Sequence, residues 1–194
     1  MARAKSSNRL FFAVTLSPKL TQELLELQQR YSAFDCKPVA PENFHLTLSF
    51  LGNLSDKLLE QIIDGVQAPD IAPFTSTPAS LVYWQKSSLL ALLVNDKDGL
   101  LARCKRHLEH QLAGLNLFHY DRRAFTPHIT LFRQLESPPP LIEVELKNQI
   151  LVDQLHLMRS HSLRGRAIYQ SIEQWSLQQP GIRQQLLGST RDPG

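Results

Sequence analysis

The chain has 194 residues, of which 42% are hydrophobic and 20% charged, and its formal net charge is +3 at pH 7. This size and balance predict one soluble globular domain with a substantial core, and the slight basic excess is compatible with a phosphate-bearing partner without establishing one. No stretch is apolar for long enough to cross a membrane, and the two cysteines, Cys36 and Cys104, lack the spacing of a disulfide framework or a zinc motif.

The two ends of the chain are expected to contribute little to the core. A basic start leads into a short apolar run without a small-residue cleavage site, so we expect no signal peptide and a cytoplasmic location. Residues 1–179 are predicted to form the single domain, and the polar tail at 180–194, which contains Gly and Pro, is predicted to be flexible. We expect a monomer with no membrane partner.

The first part of the chain has the pattern of strand, helix, strand, helix. A strand is predicted from Leu10 to Leu16, and a second strand begins at His45 and ends at Gly52-Asn53. Ser55 or Asp56 is expected to cap the helix that follows. The two helices are predicted from apolar residues at helical spacing, namely Leu20, Leu24, Leu27 and Tyr31, then Leu58, Leu59, Ile62, Ile63 and Val66.

The rest of the chain repeats part of this order. Strands are predicted at Phe74–Trp84 and Leu89–Val94 around a polar turn, followed by a third helix and then a strand that begins at His128. The third helix has one apolar face, formed by Leu100, Leu101, Cys104, Leu108 and Leu112, so Cys104 is expected to be a buried free thiol. After three consecutive prolines, further strand-like runs are Leu141–Leu146, Gln149–Met158 and Ala167–Trp175.

The most informative pattern is a tetrapeptide that occurs twice, as His45-Leu-Thr-Leu in FHLTLSFLG and His128-Ile-Thr-Leu in TPHITLFR. Side chains two residues apart on a strand point to the same face. His45 and Thr47 should therefore share one face, with Leu46, Leu48 and Phe50 on the other. In the second copy, His128 and Thr130 should share a face in the same way.

The matched order of elements around the two copies indicates a diverged duplication. We therefore predict an α+β fold that is bilobal and pseudo-twofold, with mostly antiparallel sheet and outer helices. The repeat is expected to bring the two motifs together in a central cleft.

Two histidines that face one cleft can act as general base and general acid in a single displacement. Cleavage of a phosphodiester needs both functions, on opposite sides of phosphorus, and a threonine hydroxyl beside each histidine can donate to the phosphate oxygens. This arrangement requires no metal and no cofactor. Zinc bound by the two imidazoles is an alternative, but a third ligand is not evident from the sequence.

At these residues the chain resembles the two-histidine phosphoesterase superfamily, which is defined by paired H-x-[TS]-x motifs. It is similar in particular to the bacterial RNA 2′,3′-cyclic phosphodiesterases, LigT-like proteins formerly called 2′-5′ RNA ligases. The likeness runs from about Arg9 to Leu177 and includes RLFFAVTL, FHLTLSFLG, TPHITLFR and the C-terminal SLRGRAIYQSIEQWSL.

The resemblance implies a bilobal α+β fold and a metal-independent reaction that opens 2′,3′-cyclic phosphate ends of RNA to 2′-phosphomonoesters. By position, His45 resembles the proton donor to the leaving 3′ oxygen and His128 the base that activates water. Thr47 and Thr130 would hold the phosphate. The residues alone do not distinguish the two histidines, so these roles depend on the family.

Other residues are weaker candidates. Arg133 ends the second motif strand and is a candidate phosphate contact, although strict alternation puts it on the face opposite His128 unless the strand twists or bulges. A basic rim for the RNA backbone could be formed by Arg122, Arg123, Arg164 and Arg166. Base-stacking rings are possible at Phe11, Phe12 and Tyr169, although the two Phe are better explained as core residues. The other five histidines, His107, His110, His119, His156 and His161, are interpreted as structural.

Three alternative functions remain open from the sequence. The same histidines could act on another small cyclic phosphate, such as ADP-ribose 1″,2″-cyclic phosphate. The chain could be a 2′-5′ RNA ligase, which product analysis would separate from a hydrolase. It could also be an RNA-binding module without catalysis, for which saturable binding without turnover would be the sign.

Overall fold

The computed structural model describes residues 8–31, 34, 36–117, 124–163 and 166–178. These ranges contain the strands β1 (Asn8–Thr15), β2 (Lys37–Pro38), β3 (His45–Leu54), β4 (Phe74–Ser76), β5 (Pro78–Trp84), β6 (Leu89–Val94), β7 (His128–Arg133), β8 (Ile150–Val152), β9 (Gln154–Leu163) and β10 (Arg166–Ser176). The α-helices in the same ranges are α1 (Pro18–Gln29), α2 (Asp56–Gly65) and α3 (Leu100–Gly114), and two 3₁₀ turns cover Pro41–Asn43 and Gln85–Ser87.

One eight-stranded sheet dominates the fold, and the pairs described in it are antiparallel. Its strand order is β10-β9-β1-β3-β7-β6-β5, with β2 added beside β7, and β4 and β8 form a separate two-stranded sheet. None of the helices in the described ranges is long and apolar enough to cross a membrane. The predicted α+β class with mostly antiparallel strands is confirmed.

The sheet contains the predicted duplication as two similar halves. Strand β1, helix α1 and strand β3 correspond in order to β6, α3 and β7, and each half pairs its two strands antiparallel. The halves meet between β3 and β7, where the register pairs Leu46 with Ile129. Since these are the residues directly after the two motif histidines, the pseudo-twofold axis passes through this pair.

The three helices bury their apolar faces against the same side of the sheet. Helix α1 contributes Leu20 and Leu24, and α3 contributes Leu101 and the predicted buried thiol Cys104, all at 0% exposure. The opposite side of the sheet carries a separate small cluster, made of Phe11, Ala13 and Met158 with Tyr169 packed against it. One face of the sheet is therefore the core, and the other is left for a cleft.

Local side chains define where the helices begin. Ser17 and Ser55 accept hydrogen bonds from the backbone N–H three residues later, at 3.3 and 3.4 Å, so the choice between Ser55 and Asp56 as the cap of α2 is settled for Ser55. Before α3, the Asp96 carboxylate accepts from the N–H groups of Leu101 and Ala102, each at 2.9 Å. A carboxylate at a helix N-terminus satisfies free donors and faces the positive end of the helix dipole.

Three predicted strands differ from the structure. The run Gln149–Met158 is divided at Asp153 into β8 and β9, which belong to different sheets. The run Phe74–Trp84 is divided into β4 and β5, because β4 pairs with β8 in the small sheet while β5 pairs with β6. Leu141–Leu146 is not a strand. This segment follows the three prolines and lies beside the loop after α1, since the N–H of Ile142 donates to the Tyr31 hydroxyl at 3.5 Å.

Candidate active site

The two motifs form the centre of the face that the helices leave uncovered. His45 and Thr47 are half-buried while Leu46 is fully buried behind them, and His128 and Thr130 have the same relation to Ile129. Because Leu46 pairs with Ile129 in antiparallel register, each histidine lies across the strand boundary from the threonine of the other motif. The structure thus brings together the four residues that the sequence predicts.

Both motif strands contain a β-bulge at the same place. Along β3 the register to β1 skips Leu48, and along β7 the register to β6 skips Leu131. Each skipped residue is the third after its motif histidine. A bulge interrupts the alternation of faces, so the side chains that follow it are shifted by one position.

The bulges correct the predicted face of Phe50 and supply the exception that the prediction allowed for Arg133. After them, Ser49 and Phe132 are buried on the core side, whereas Phe50 is 71% exposed and Arg133 is exposed. Phe50 therefore lies on the histidine face and not behind it, with its ring 5.9 Å from that of Phe11. Arg133 occupies the equivalent place in β7, so the exception to strict alternation applies and this arginine shares the face of His128.

The two imidazoles are held in the same way. His45 donates from Nδ1 to the carbonyl of Asn43 at 2.6 Å, and His128 donates from Nδ1 to the carbonyl of Thr126 at 2.7 Å. A carbonyl can only accept, so the proton of each neutral ring is on Nδ1 and the lone pair is on Nε2. At His45 that lone pair accepts the Thr47 hydroxyl at 3.0 Å. Each histidine thus presents Nε2 as its reactive nitrogen.

The environment of both rings favours the neutral form. Burial is the main cause that lowers the pKa of His45 from 6.5 to about 4; the bond to Asn43 opposes this, and the positive charges of Arg133 and His128 add to it. Burial also lowers the pKa of His128, again opposed by its carbonyl bond to Thr126 and assisted by Arg133. The charge of Arg133 therefore acts on both histidines, and in the free protein both rings are able to accept a proton at neutral pH.

Aromatic rings surround the histidines. The His45 ring lies 4.9 Å from the ring of Phe11 and 5.2 Å from that of Tyr169, the latter edge to face. On the other side, His128 meets Trp84 edge to face at 4.6 Å. Such packing fixes the orientation of an imidazole and excludes water from one side of it. Phe11 is thus a wall of the cleft and not part of the main core.

Asn43 connects His45 to the outermost strand of the sheet. Its side chain donates to the carbonyl of Ala167 at 2.8 Å and accepts from the N–H of Tyr169 at 3.2 Å. The side-chain amide thus bonds to the edge of β10 as the backbone of a neighbouring strand would. Its own carbonyl holds the His45 ring. Asn43 therefore sets the positions of His45 and Tyr169 relative to each other.

Gln28 performs a similar task at the bulge of β7. This side chain is 6% exposed, and its amide donates to the carbonyls of Val39 at 3.0 Å and of Leu131 at 2.7 Å. The Leu131 carbonyl also accepts from the N–H of Val39 at 2.9 Å. Because Leu131 is the bulged residue, these bonds stabilise the backbone shape that turns Arg133 toward the cleft.

The weaker candidates have different outcomes. Arg122, Arg123 and Arg164 lie outside the described residues, as does the predicted tail at 180–194. Arg166 is exposed at the start of β10. Phe12 is fully buried in the main core, as expected for a Phe of the first strand.

Of the five other histidines, His119 lies outside the described residues, and His156 makes structural contacts whose partners were not predicted from the sequence. His156 is buried at 8% exposure on β9, where it contacts the hydroxyls of Thr15 and Ser171. The contacts of His156 were not predicted from the sequence, and neither were the roles of Trp84, Asn43 and Gln28. One signal was available, since Gln28 is a polar residue beside Leu27 on the buried face of α1.

Two histidine–threonine pairs, related by a pseudo-twofold axis in the cleft of an antiparallel sheet, are the arrangement that the resemblance to two-histidine phosphoesterases implies. The comparisons agree with this class. Residues 14–88 match the family model described as LigT like Phosphoesterase. The chain is 29% identical to the RNA 2′,3′-cyclic phosphodiesterase of Escherichia coli over 175 residues, which are 88% of this chain and 97% of that protein.

Two further comparisons agree. The chain is 28% identical over 200 residues to the RNA 2′,3′-cyclic phosphodiesterase of Thermus thermophilus, covering 95% of this chain and 98% of the other. The crystal structure of E. coli LigT complexed with 3′-AMP superposes with a TM-score of 0.73 at 27% identity, over 90% of this chain and all of that one (100%). The chain is therefore similar to LigT-like phosphoesterases in both sequence and fold.

Proposed function

We propose that the protein is an RNA 2′,3′-cyclic phosphodiesterase that hydrolyses cyclic phosphate ends of RNA to 2′-phosphomonoesters. One observation carries the proposal. His45 and His128 each direct Nε2 into the same cleft, because each commits Nδ1 to the carbonyl two residues earlier. The names of the relatives and the nucleotide bound to E. coli LigT support RNA as the substrate class.

In the proposed reaction the two histidines act on opposite sides of phosphorus. A water oxygen attacks phosphorus while His128 Nε2 takes its proton, and the bond between phosphorus and O3′ breaks as His45 Nε2 gives a proton to O3′. The products are a 3′-hydroxyl and a phosphate that remains on O2′. For this cycle His45 must be protonated and His128 neutral, and the negative charge of bound substrate raises the pKa of His45 toward the required state.

Thr47, Thr130 and Arg133 are proposed to bind the phosphate. In the free protein the Thr47 hydroxyl donates to the unprotonated Nε2 of His45. Once Nε2 carries a proton, that hydroxyl is free to donate to a non-bridging oxygen, and Thr130 is placed to do the same from the other motif. The Arg133 guanidinium, which already acts on both rings, balances the charge that builds up on the phosphate.

The mechanism is proposed to need no metal. In the part of the chain that the structure describes, no three His, Cys, Asp or Glu side chains converge as a metal site. Proton transfer by the histidines and hydrogen bonds to the phosphate account for each step without a Lewis acid. We expect full activity in EDTA.

The test is hydrolysis of an oligoribonucleotide that ends in a 2′,3′-cyclic phosphate, in EDTA, with the product identified by chromatography. His45→Ala and His128→Ala should each lower kcat by roughly a thousandfold, the scale of one general acid or base. His110→Ala, an exposed position on α3, is the matched control. Turnover that survives either active-site substitution would contradict the two-histidine mechanism.

A second substrate separates the roles of acid and base. When the 3′ oxygen of the cyclic phosphate is replaced by sulfur, the leaving thiolate needs no proton. His45→Ala should recover activity on this substrate, whereas His128→Ala should not. If His128→Ala recovers activity on this substrate and His45→Ala does not, His128 is the acid and His45 the base. A product joined to a 5′-hydroxyl oligonucleotide would favour the ligase alternative.

A further inference from the structure

A pocket of about 320 Å³ lies beside His45, where β1 ends and α1 begins. Its walls are mainly apolar, and they are formed by Leu16, Pro18, Pro41, Phe44, Met158 and Tyr169. The pocket is large enough for a nucleobase, and it is lined by His45, whose Nε2 is proposed to protonate O3′.

Two polar residues that line this pocket, Thr15 and Glu42, offer hydrogen-bond acceptors beside His45. The hydroxyls of Thr21 and Tyr169, which also line it, can donate or accept. Thr15 is the residue paired with His45 between β1 and β3, so its hydroxyl stands next to the histidine at the pocket edge. Glu42, from the 3₁₀ turn before β3, is exposed and lines the same pocket. A carboxylate only accepts. The amide of Asn43, which also lines the pocket, is already bonded to β10.

The hydrogen bonds of His156 leave the Thr15 hydroxyl able only to accept a hydrogen bond from a ligand. The Ser171 hydroxyl bonds to the Glu173 carbonyl at 3.5 Å and to His156 Nδ1 at 2.9 Å, so it donates to the carbonyl and accepts from the ring. Burial lowers the pKa of His156, with Asp153 opposing, and the neutral ring then has its lone pair on Nε2. Thr15 Oγ1, 3.3 Å from Nε2, donates its one proton there and offers only lone pairs to a ligand.

We propose that this pocket binds the terminal nucleobase of the substrate and selects bases that carry an amino group, through Thr15 and Glu42. The inference rests on the proposed function, in which the nucleoside that carries the leaving O3′ lies on the His45 side of the phosphate. Cytosine, adenine and guanine present an exocyclic NH₂ to such acceptors. Uracil presents a carbonyl oxygen at the place of the cytosine amine, and two acceptors in contact repel each other.

The experiment compares 2′-CMP with 2′-UMP, two product nucleotides of equal size that differ at this edge. Isothermal titration of the wild type should give a Kd about tenfold lower for 2′-CMP, the effect of one hydrogen bond to a partly exposed acceptor. Thr15→Val and Glu42→Gln should each reduce this ratio toward one. Thr15→Ser keeps the hydroxyl and should keep the ratio, as should Thr75→Val on the separate two-stranded sheet.

Equal affinity for the two nucleotides, or a ratio that neither pocket variant changes, would overturn the inference. Parallel assays of the matching 2′,3′-cyclic nucleotides separate it from the proposed function. Preferential binding of 2′-CMP without turnover of either cyclic nucleotide would support the pocket and contradict the hydrolase. Turnover of both at equal kcat/KM, with equal product affinity, would support the hydrolase and contradict the pocket.

Discussion

The buried position of His45 should make the stability of the fold depend on pH. In the folded chain its pKa is about 4, against an ordinary value of 6.5 that the unfolded chain recovers. Since the folded pKa is the lower one, the unfolded state binds the proton first as the pH falls. The contribution of neutral His45 to the stability of the fold is fully present above pH 6.5 and is lost progressively between pH 6.5 and pH 4.

The magnitude follows from the shift. A pKa difference of one unit corresponds to about 1.4 kcal/mol, so a difference of 2.5 units lowers the free energy of unfolding by about 3 kcal/mol at pH 4 relative to pH 7. That is a large part of the roughly 5–15 kcal/mol by which domains of this kind are stable. The loss should be visible as a lower urea midpoint.

The assay is urea unfolding of the wild type and His45→Gln at several values between pH 7 and pH 4. Glutamine keeps a donor for the carbonyl of Asn43 but does not titrate. From pH 7 to pH 4 the free energy of unfolding should fall by about 3 kcal/mol more for the wild type than for His45→Gln, because the other titrating groups are common to both. His110→Gln controls for the loss of a histidine as such. Parallel curves for wild type and His45→Gln would refute the desolvated environment assigned to His45.

Three further predictions concern the cleft. Arg133→Gln removes a positive charge that lowers the pKa of both motif histidines. The variant should therefore be slower, and the pH optimum of its kcat/KM should be higher than that of the wild type; an unchanged or lower optimum would contradict this. Gln28→Met removes two hydrogen bonds at the bulge around Leu131 and should cost about 2 kcal/mol in urea unfolding, with a loss of kcat that a stability effect alone would not cause. Phe50→Ala should change stability by less than about 1 kcal/mol, since the ring is mostly exposed, yet raise KM for an oligonucleotide several-fold while sparing a cyclic mononucleotide; equal effects on both substrates would argue against stacking there.

The sequence predicted the two motif strands and their shared face because alternation over four residues is a local property. His45, Thr47, His128 and Thr130 lie together as the repeat indicated. The halves could be recognised because apolar positions of strands and helices recur in the same order, and such positions are set by one buried face. Neither inference required knowledge of a partner strand.

The face of Arg133 could not be decided from the sequence. A bulge exists only when one strand has a residue more than its neighbour, so it is a property of the pair β6 and β7 and not of either strand alone. The same limit applies to Phe50. The contacts of Gln28 and His156 could not be predicted for a related reason, since their partners, Leu131 and Thr15, are distant in the chain.

The equivalent bulges also show what fusing two halves into one chain makes possible. In a symmetric homodimer every residue near the axis occurs twice, so the same side chain must serve both ends of the cleft. Here the fifth residue after one motif histidine is Phe50 and after the other is Arg133. At this equivalent place one half of the cleft carries an aromatic ring and the other a guanidinium, so a bound nucleotide meets two different surroundings. A duplicated gene can thus give direction to a site whose backbone is symmetric.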